Sequence, residues 1–398
     1  MTEVEIEVEP SEAGFDAKRL HRLGDHLDKY VDEGHLPGVN VLVSREGKIV
    51  YRHMYGQRDM ERALPVEADT IYRFYSMTKP ITSVAIMQLY ERGVFQLKDP
   101  ISNWIPSFAE SQVFVGGDAE NPQTREASRA ISIHDLLTHT SGLTYFFHMA
   151  HVVDEMYRRA GFDWTKRPGD LESQCDVLAS LPLLFDPGTE WNYSYSTDVL
   201  GRLIEVMSGL SLDAYFKRNI FEPLGMVDTG FSVPSEKRER FASCYYPNGE
   251  AKQAALLDDA QRSRYLHEPP AFSGGGGLVS TLADYHLFTQ ALRNGGSLDG
   301  QRIVGRKTLD FMTSNHLPGG VDLTEYGRPL FSETAYDGVG FGLGFSVVID
   351  PAKAKVLSQK GEYAWGGAAS TAFWIDPVED LTVMFLTQLL PSSPPPSR

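Results

Sequence analysis

The sequence contains little cysteine. Its 398 residues include two cysteines, Cys175 and Cys244, which are too few for a disulfide framework. Neither belongs to a C-x-x-C pair, no cysteine and histidine cluster has the spacing of a zinc site, and no H-E-x-x-H motif occurs. We therefore expect both cysteines to be buried thiols, and we predict neither a metal site nor a cofactor.

Positive charge is also scarce. The chain carries 37 lysine and arginine residues against 53 acidic ones, which gives a net charge of −16. Binding to nucleic-acid phosphates needs a basic surface, so we do not expect nucleic acid as a partner. No apolar run reaches about 18 residues, which excludes a membrane span. The first residues, MTEVEIEVEPSEAGF, lack the basic and apolar regions of a secretion signal, so we expect a cytoplasmic location.

Two common catalytic and binding patterns are missing. The G-x-S-x-G turn of α/β-hydrolases does not occur, and the segment GGSLD at 295–299 fails at its last position. The alternating glycines at 338–344 lack the spacing of a dinucleotide-binding loop, so we interpret them as strand and bend residues. The glycines at 274–277 are interpreted as a site of close backbone approach rather than a phosphate loop.

The pattern of apolar residues indicates strands at both ends of the chain and helices between them. Strand-like runs occur at 39–44, 48–55, 340–349, 368–375 and 381–388. Helical spacing occurs at 15–32, 78–92, 131–139, 171–181, 196–208, 211–219, 281–293 and 305–314. We therefore predict a sheet assembled from both chain ends, an inserted helical lobe, and a site in the cleft between them.

One short segment contains the parts of an activated nucleophile. Ser76 and Lys79 lie three residues apart at the start of a predicted helix, so they share a face. A hydroxyl needs a base before it attacks a carbonyl group, and a lysine serves as one once its pKa is lowered. Three histidines further along the chain are interpreted as structural: His134, His139 and His148.

Further segments, in matching order, resemble the serine β-lactamases and penicillin-binding proteins. The segment DPGTEWNYSYS at 186–196 looks like their P-G-x-x-W-x-Y-S motif, and a helical pattern follows it. Other similar segments are THTSGL at 138–143, PLGM at 223–226, SGGGGLVST at 273–281 and the WGG at 365–367, which opens a β-rich run where these proteins have K-T-G. Over about residues 15–390 the chain is similar to family VIII carboxylesterases, the class C β-lactamase-like serine esterases, and to the fungal acyltransferases of statin biosynthesis.

The resemblance implies a role for each matching residue. Ser76 would be the nucleophile, Lys79 its neighbouring amine, and Tyr193 the general base or proton relay, made phenolate-like by Lys79. The backbone N–H groups of Ser76 and Ala368 would form the oxyanion hole. Which of the lysine and the tyrosine holds the proton stays open. The substrate pocket would be lined by Tyr75, Tyr195, Trp365, Gly366 and Gly367.

The resemblance also implies the fold. We expect an α+β fold of the β-lactamase and penicillin-binding-protein type, with an antiparallel sheet. Its discontinuous α/β sheet domain would comprise residues 1–75 and 300–398, and its mostly helical domain residues 76–299. The active site would lie in the cleft between these domains.

Two departures from the lactam-cleaving relatives change the expected substrate. A class C β-lactamase has asparagine at the place of Tyr195 and Lys-Thr-Gly at the place of the WGG. The amide and the lysine that would contact a lactam substrate are therefore absent. We expect a serine esterase that hydrolyses short- to medium-chain carboxylic esters through an acyl-Ser76 intermediate. Acyl transfer to an alcohol or amine, weak β-lactamase or D-Ala-D-Ala peptidase activity, and a catalytically inactive binding module stay open.

The C-terminal end differs from that of the relatives, which continue from the last strand into a helix on the sheet. Here the chain continues into PSSPPPSR at 391–398, which we expect to be unstructured. A sheet face left uncovered in this way would favour a partner subunit. We therefore expect a homodimer as an alternative to the monomer, besides the small-molecule ester as a binding partner.

Overall fold

The structure, a computed structural model, describes residues 4–163, 167–249 and 253–391. Its α-helices, α1 to α12 in chain order, are Ala17–Asp32, Thr78–Glu91, Ile133–Leu137, Val152–Arg159, Leu171–Ser180, Ser196–Ser208, Leu212–Phe216, Glu222–Leu224, Leu282–Arg293, Arg306–Met312, Leu323–Tyr326 and Pro351–Ala354. Its strands, β1 to β16, are Gly38–Arg45, Lys48–Asp59, Leu64–Pro65, Tyr72–Arg73, Gln112–Gly117, Pro122–Glu126, Cys244–Asn248, Gln253–Asp258, Val279–Ser280, Ser297–Leu298, Gln301–Arg302, Val339–Phe341, Ser346–Val348, Tyr363–Gly367, Thr371–Asp376 and Leu381–Leu386.

An eight-stranded sheet joins the two ends of the chain. Its strand order is β12-β13-β14-β15-β16-β1-β2-β3, and each neighbouring pair is antiparallel. The last strand, β16, pairs with the first, β1, so that Val43 lies opposite Val383. This arrangement confirms the predicted α+β fold with a sheet built from both chain ends.

The two faces of the sheet pack against different layers because successive side chains of a strand point to opposite sides. Val43 and Val383 face the layer of helix α1 and form a small cluster with Leu20 and Leu23. The next residue, Leu42, belongs to the main core on the other face. Helix α1 begins at Asp16, whose carboxylate accepts hydrogen bonds from two backbone N–H groups of the first turn.

Helix α2 lies inside the main core. Every residue from Thr78 to Leu89 is buried, so the helix is enclosed on all sides rather than along one apolar stripe. Two of its polar side chains donate hydrogen bonds to backbone carbonyl groups of other segments. Thr82 Oγ1 donates to the Gly274 oxygen at 2.7 Å, and Gln88 Nε2 donates to the Ile303 oxygen at 2.8 Å. The helix therefore holds segments that are distant in sequence.

The WGG at 365–367 closes strand β14, which corrects the prediction that it opens a strand. Strand β15 begins at Thr371, and Gly367 pairs with Thr371. The residues between them form the turn that reverses the chain, where Ser370 adopts a left-handed φ of 63°. The sequence pattern missed this turn because the buried apolar residues continue through it.

Helix α9 packs on the sheet although it lies in the range predicted for the helical domain. Gln290 Nε2 donates to Ser44 Oγ at 3.0 Å, and Arg293 forms an ion pair with Asp380. The strands of the main sheet fall within 38–65 and 339–386, inside the ranges expected for the sheet domain. The domain boundaries themselves stay predictions.

Several expectations from composition concern the whole chain. None of the helices in the described ranges is both long and apolar enough to cross a bilayer. Within those same ranges, no group of three histidine, cysteine or acidic residues is placed to hold a metal ion. Cys175 and Cys244 are buried free thiols, as predicted. The tail expected to be unstructured lies, from residue 392 onward, outside the described residues, and the homodimer stays a prediction.

We expect the burial of α2 to be measurable by deleting methyl groups. Val84→Ala should lower the free energy of unfolding by about 2 kcal/mol, because Val84 is 0% exposed and its removal leaves a cavity. Val206→Ala on helix α6, where the valine is 38% exposed, is the matched control and should cost less than about 0.5 kcal/mol. Urea unfolding measures both. Equal losses in the two variants would contradict the central position of α2.

Candidate active site

Ser76 and Lys79 lie where the sheet meets helix α2. Residues Tyr75–Met77 form a single 3-10 turn that leads into α2, so Ser76 lies in this turn and Lys79 in the first turn of the helix. Tyr75 has a φ of 43°, a region that residues with side chains rarely adopt. Lys79 Nζ donates to Ser76 Oγ at 3.1 Å, so the predicted contact between amine and hydroxyl is present.

The surroundings of Lys79 favour its neutral form. The residue is 2% exposed, and this burial lowers the pKa of Lys79 to about 8. The positive charge of Arg167 acts in the same direction, while the carboxylates of Glu333 and Asp198 oppose the shift. The amine also lies over the ring of Tyr193, 4.5 Å from its centroid. At neutral pH a useful fraction of Lys79 can therefore accept a proton.

Tyr193 lies opposite Ser76, on the segment that leads into helix α6. The residue is 1% exposed and its hydroxyl faces that of Ser76, yet it makes no well-directed hydrogen bond with any described residue. Burial raises the pKa of Tyr193 well above its usual range, and the negative charge of Glu333 adds to this effect. The expected phenolate-like Tyr193 is therefore not supported. The raised pKa favours the protonated tyrosine, and the lowered pKa of Lys79 favours the neutral lysine.

Strand β14 passes directly beside the turn that contains the nucleophile. A side chain at Gly367 would overlap with the carbonyl oxygen of Phe74, so the strand can approach this closely only with glycine there. Ala368 follows Gly367, and Ser76 lies two residues beyond Phe74. The two N–H groups predicted to form the oxyanion hole are thus on adjacent segments, and their catalytic role stays a prediction.

A second group of residues contacts Lys79 through the carbonyl oxygen of Gly275. Asp198, in the first turn of α6, accepts hydrogen bonds from Ser273 Oγ at 2.5 Å and from the Gly275 N–H at 3.3 Å. The Gly275 carbonyl oxygen in turn accepts a bond from Lys79 Nζ at 2.6 Å. A side chain at Gly275 would overlap with the Asp198 carboxylate. The glycines at 274–277 are therefore a site of close approach, and the sequence had not indicated Asp198.

The structure also brings Glu333 into the site, which sequence reasoning missed. Its Cβ is 3.1 Å from the place that a Cβ of Gly366 would take, and its carboxylate lies against the hydroxyls of Ser76 and Tyr193. Burial raises the pKa of Glu333, and the positive charge of Lys79 counteracts this rise. The residue belongs to no motif, because a loop that folds back over β14 brings it here.

The residues predicted to line the pocket have different surroundings. Trp365 is buried against the ring of Tyr193, at 5.5 Å between centroids, and Gly366 lies beside Glu333. Tyr75 is half-buried, with its ring edge-on to Tyr265. Tyr195 is fully buried in an aromatic layer behind the site, where it contacts Tyr145, Tyr157 and Phe162. Their contacts with substrate stay predictions.

The three histidines contact the protein rather than the nucleophile. His148 Nε2 donates to the carbonyl oxygen of Tyr193 at 2.7 Å, and His139 Nδ1 lies 3.2 Å from Ser194 Oγ. Burial lowers the pKa of His139 well below its usual range. His134 pairs with His316 at 3.2 Å. These contacts agree with the structural interpretation of all three.

Comparison with known proteins identifies the family. The beta-lactamase family model matches residues 23–398. Esterase EstB of Burkholderia gladioli is 31% identical over 398 residues, which cover 96% of this chain and 93% of EstB. The match to EstB and the folds shared with EstCE1 and simvastatin synthase confirm the resemblance to family VIII carboxylesterases.

Two solved structures have similar folds. EstCE1, described as a hydrolase with promiscuous acyltransferase activity, has a TM-score of 0.76 and 26% identity, and the match covers 94% of this chain and 93% of EstCE1. Simvastatin synthase of Aspergillus terreus, as its LovD6 mutant, has a TM-score of 0.80 and 26% identity, with 96% and 94% covered. With its sheet built from both chain ends and its serine beside a buried lysine, the chain belongs to the beta-lactamase family and is a serine hydrolase of that fold.

Proposed function

We propose that the protein is a carboxylesterase that hydrolyses short- to medium-chain esters through an acyl-Ser76 intermediate. The observation that carries this proposal is the 3.1 Å contact between Lys79 Nζ and Ser76 Oγ in a buried site. Because burial brings the pKa of Lys79 to about 8, the neutral amine is available to accept the serine proton. The identity with EstB, which is named an esterase, supports the same reaction class.

The two half-reactions divide the proton transfers between Lys79 and Tyr193. As Ser76 Oγ attacks the ester carbonyl, its proton moves to Lys79, and the N–H groups of Ser76 and Ala368 bind the developing oxyanion. The C–O bond to the alcohol then breaks, and the leaving oxygen takes a proton from the Tyr193 hydroxyl, which Lys79 restores. Water attacks the acyl-enzyme by the reverse route, releasing the acid and the Ser76 hydroxyl.

The charges in the site favour a neutral ester over a lactam. Lactam antibiotics carry a carboxylate next to the reacting ring. The buried Trp365 stands where the lactam-cleaving relatives have a lysine. A lactam carboxylate would therefore lose the cation that pairs with it in those relatives, and an unpaired charge in a buried site is costly.

Acyl transfer to an alcohol or amine is the second candidate, and the likeness to EstCE1 favours it. EstCE1 is described as having promiscuous acyltransferase activity alongside hydrolysis. Adding an acceptor alcohol during ester turnover distinguishes the two, since a transferase forms the new ester faster than the free acid.

A chain-length series of p-nitrophenyl esters, run beside nitrocefin, tests the proposed function. We expect turnover of the acetate and butyrate with an initial burst of nitrophenol, because the acyl-enzyme forms before it is hydrolysed. Ser76→Ala should abolish both the burst and the turnover. Nitrocefin cleaved faster than the esters, or an unchanged rate in Ser76→Ala, would refute the proposal.

The hydroxyl of Tyr193 should be needed for catalysis. Tyr193→Phe removes the proton donor to the leaving group, so kcat/KM for p-nitrophenyl butyrate should fall by about 10²–10⁴-fold. Tyr157→Phe is the matched control, because Tyr157 is also fully buried and its hydroxyl has no hydrogen-bond partner among the described residues. Comparable losses in the two variants would assign the effect to packing instead.

The pH dependence should report Lys79. We expect kcat/KM to rise with pH through about 8 and then level off, because the neutral amine is the active form and its pKa is near that value. A histidine base would give a rise below about 6.5, since burial lowers the pKa of His139 and His148. Single-turnover acylation across this range measures the midpoint, and a midpoint in the histidine range would contradict the assignment.

A further inference from the structure

The loop between α11 and β12, residues 327–338, covers the active site, and we call it the gate segment. It is tied down at both ends. At its start the Arg328 N–H donates to the Trp191 oxygen at 3.2 Å, and the Arg328 side chain pairs with Glu190. At its end the Gly338 N–H donates to Asp322 Oδ2 at 2.7 Å.

The middle of the gate segment, residues 330–336, makes different contacts from its ends. The hydrogen bonds of the Ser332 and Tyr336 side chains stay within the segment, with the oxygens of Thr334 and Leu330 as acceptors. Glu333 lies between them and points its carboxylate into the site. Two ring contacts also join this middle to residues outside the segment, Phe331 with Phe147 at 6.1 Å and Tyr336 with Trp191 at 5.7 Å between centroids. Outward movement of Glu333 therefore has to loosen these ring contacts, while the attachments at the two ends can stay in place.

The Glu333 carboxylate occupies the place that a substrate needs. It lies against the hydroxyls of both Ser76 and Tyr193, with Lys79 as the nearby positive charge. An ester carbonyl carbon must come within about 3–3.5 Å of Ser76 Oγ before attack. A carboxylate has the same planar arrangement of one carbon and two oxygens as an ester group, so both cannot be there together.

We propose that the gate segment closes the active site with Glu333 in the position of the substrate's ester group, and that it must move outward before an ester can reach Ser76. This inference rests on the proposed esterase function. It accounts for the near-complete burial of Ser76, Lys79 and Tyr193, which are 8%, 2% and 1% exposed with Glu333 in place.

Electrostatic attraction stabilises the closed arrangement, whereas the Glu333 carboxylate lacks well-directed hydrogen bonds. Attraction between Lys79 and the carboxylate keeps Glu333 inside. Its Oε2 atom is fully enclosed, yet it has no well-directed hydrogen-bond partner among the described residues. A buried carboxylate in this state is costly, so a substrate that supplies its own ester group can displace it.

Outward movement of Glu333 would also change the base. The carboxylate raises the pKa of Lys79, so its departure leaves the amine with a lower pKa and a larger neutral fraction. The charged or titratable groups that interact with Lys79 or Glu333 include His139, Tyr145, Arg167, Tyr193, Asp198 and Tyr336. Opening of the gate segment and activation of Lys79 are therefore linked.

Substitutions at Glu333 test the proposal. If the segment is closed about nine-tenths of the time, Glu333→Ala and Glu333→Gln should raise kcat/KM for p-nitrophenyl butyrate by about 3–10-fold. Asp337→Asn, an exposed acid on the same segment, is the matched control and should leave kcat/KM unchanged. Glu333→Gln should also move the midpoint of the pH profile to lower pH, which a purely structural effect would not do. Unchanged or lower kcat/KM in the Glu333 variants would overturn the proposal.

The rate at which a fluorophosphonate labels Ser76 separates this proposal from the proposed function. Labelling needs an accessible, activated serine but no ester substrate, so it should be faster in Glu333→Ala even if no nitrophenyl ester is hydrolysed. Labelling without ester turnover would refute the esterase alone. Equal labelling rates in wild type and Glu333→Ala would refute the gate segment alone.

Hydrogen exchange on the wild-type protein provides a test without substitution. After fluorophosphonate labelling of Ser76, the adduct fills the place of the Glu333 carboxylate. Amides of residues 327–338 should then exchange several-fold faster than before. Helix α10, which lies outside the gate segment, serves as the internal control and should not change. Equal exchange of residues 327–338 before and after labelling would overturn the proposal.

Discussion

The burial of one lysine is the physical constraint on which the rest of the site depends. In water, the amine of Lys79 would be protonated at neutral pH and could not accept the proton of Ser76. Enclosure lowers its pKa to about 8, so that the neutral amine needed by the proposed mechanism is available beside Ser76. Aromatic rings surround the amine of Lys79, the carbonyl oxygen of Gly275 accepts its hydrogen bond, and helix α2 is buried. Together these features exclude water from the amine and fix its position.

The close approach of distant segments produces that enclosure. Gly367 on strand β14 lies against Phe74, and Gly275 lies against Asp198, at distances that leave no room for a side chain. The two chain ends form one sheet because β16 pairs with β1. This sheet includes β14, whose WGG lies beside the turn that contains Ser76. Glycine at these points is therefore required by packing around the site rather than by local turn geometry alone.

The same burial has opposite effects on the groups that share the site. It lowers the pKa of Lys79 and raises the pKa of Tyr193 and Glu333, because desolvation always disfavours the charged form. Burial thus favours a neutral lysine and a protonated tyrosine, the two forms that the proposed mechanism uses as base and proton donor. The charge of Glu333 opposes the effect of burial on Lys79, because a nearby carboxylate favours the protonated amine.

The sequence alone indicated the sheet built from both ends and the helices between, because apolar periodicity depends on local sequence. It indicated Ser76 and Lys79 through their spacing, and Tyr193 through the resemblance to the β-lactamase-like esterases. The end of β14, the turn at Ser370 and the packing of α9 on the sheet depended on pairing between distant segments. Only the tertiary structure brought Asp198 and Glu333 to the site, since neither belongs to a motif. It also raised the pKa of Tyr193, because a pKa is set by burial and by neighbouring charges in space.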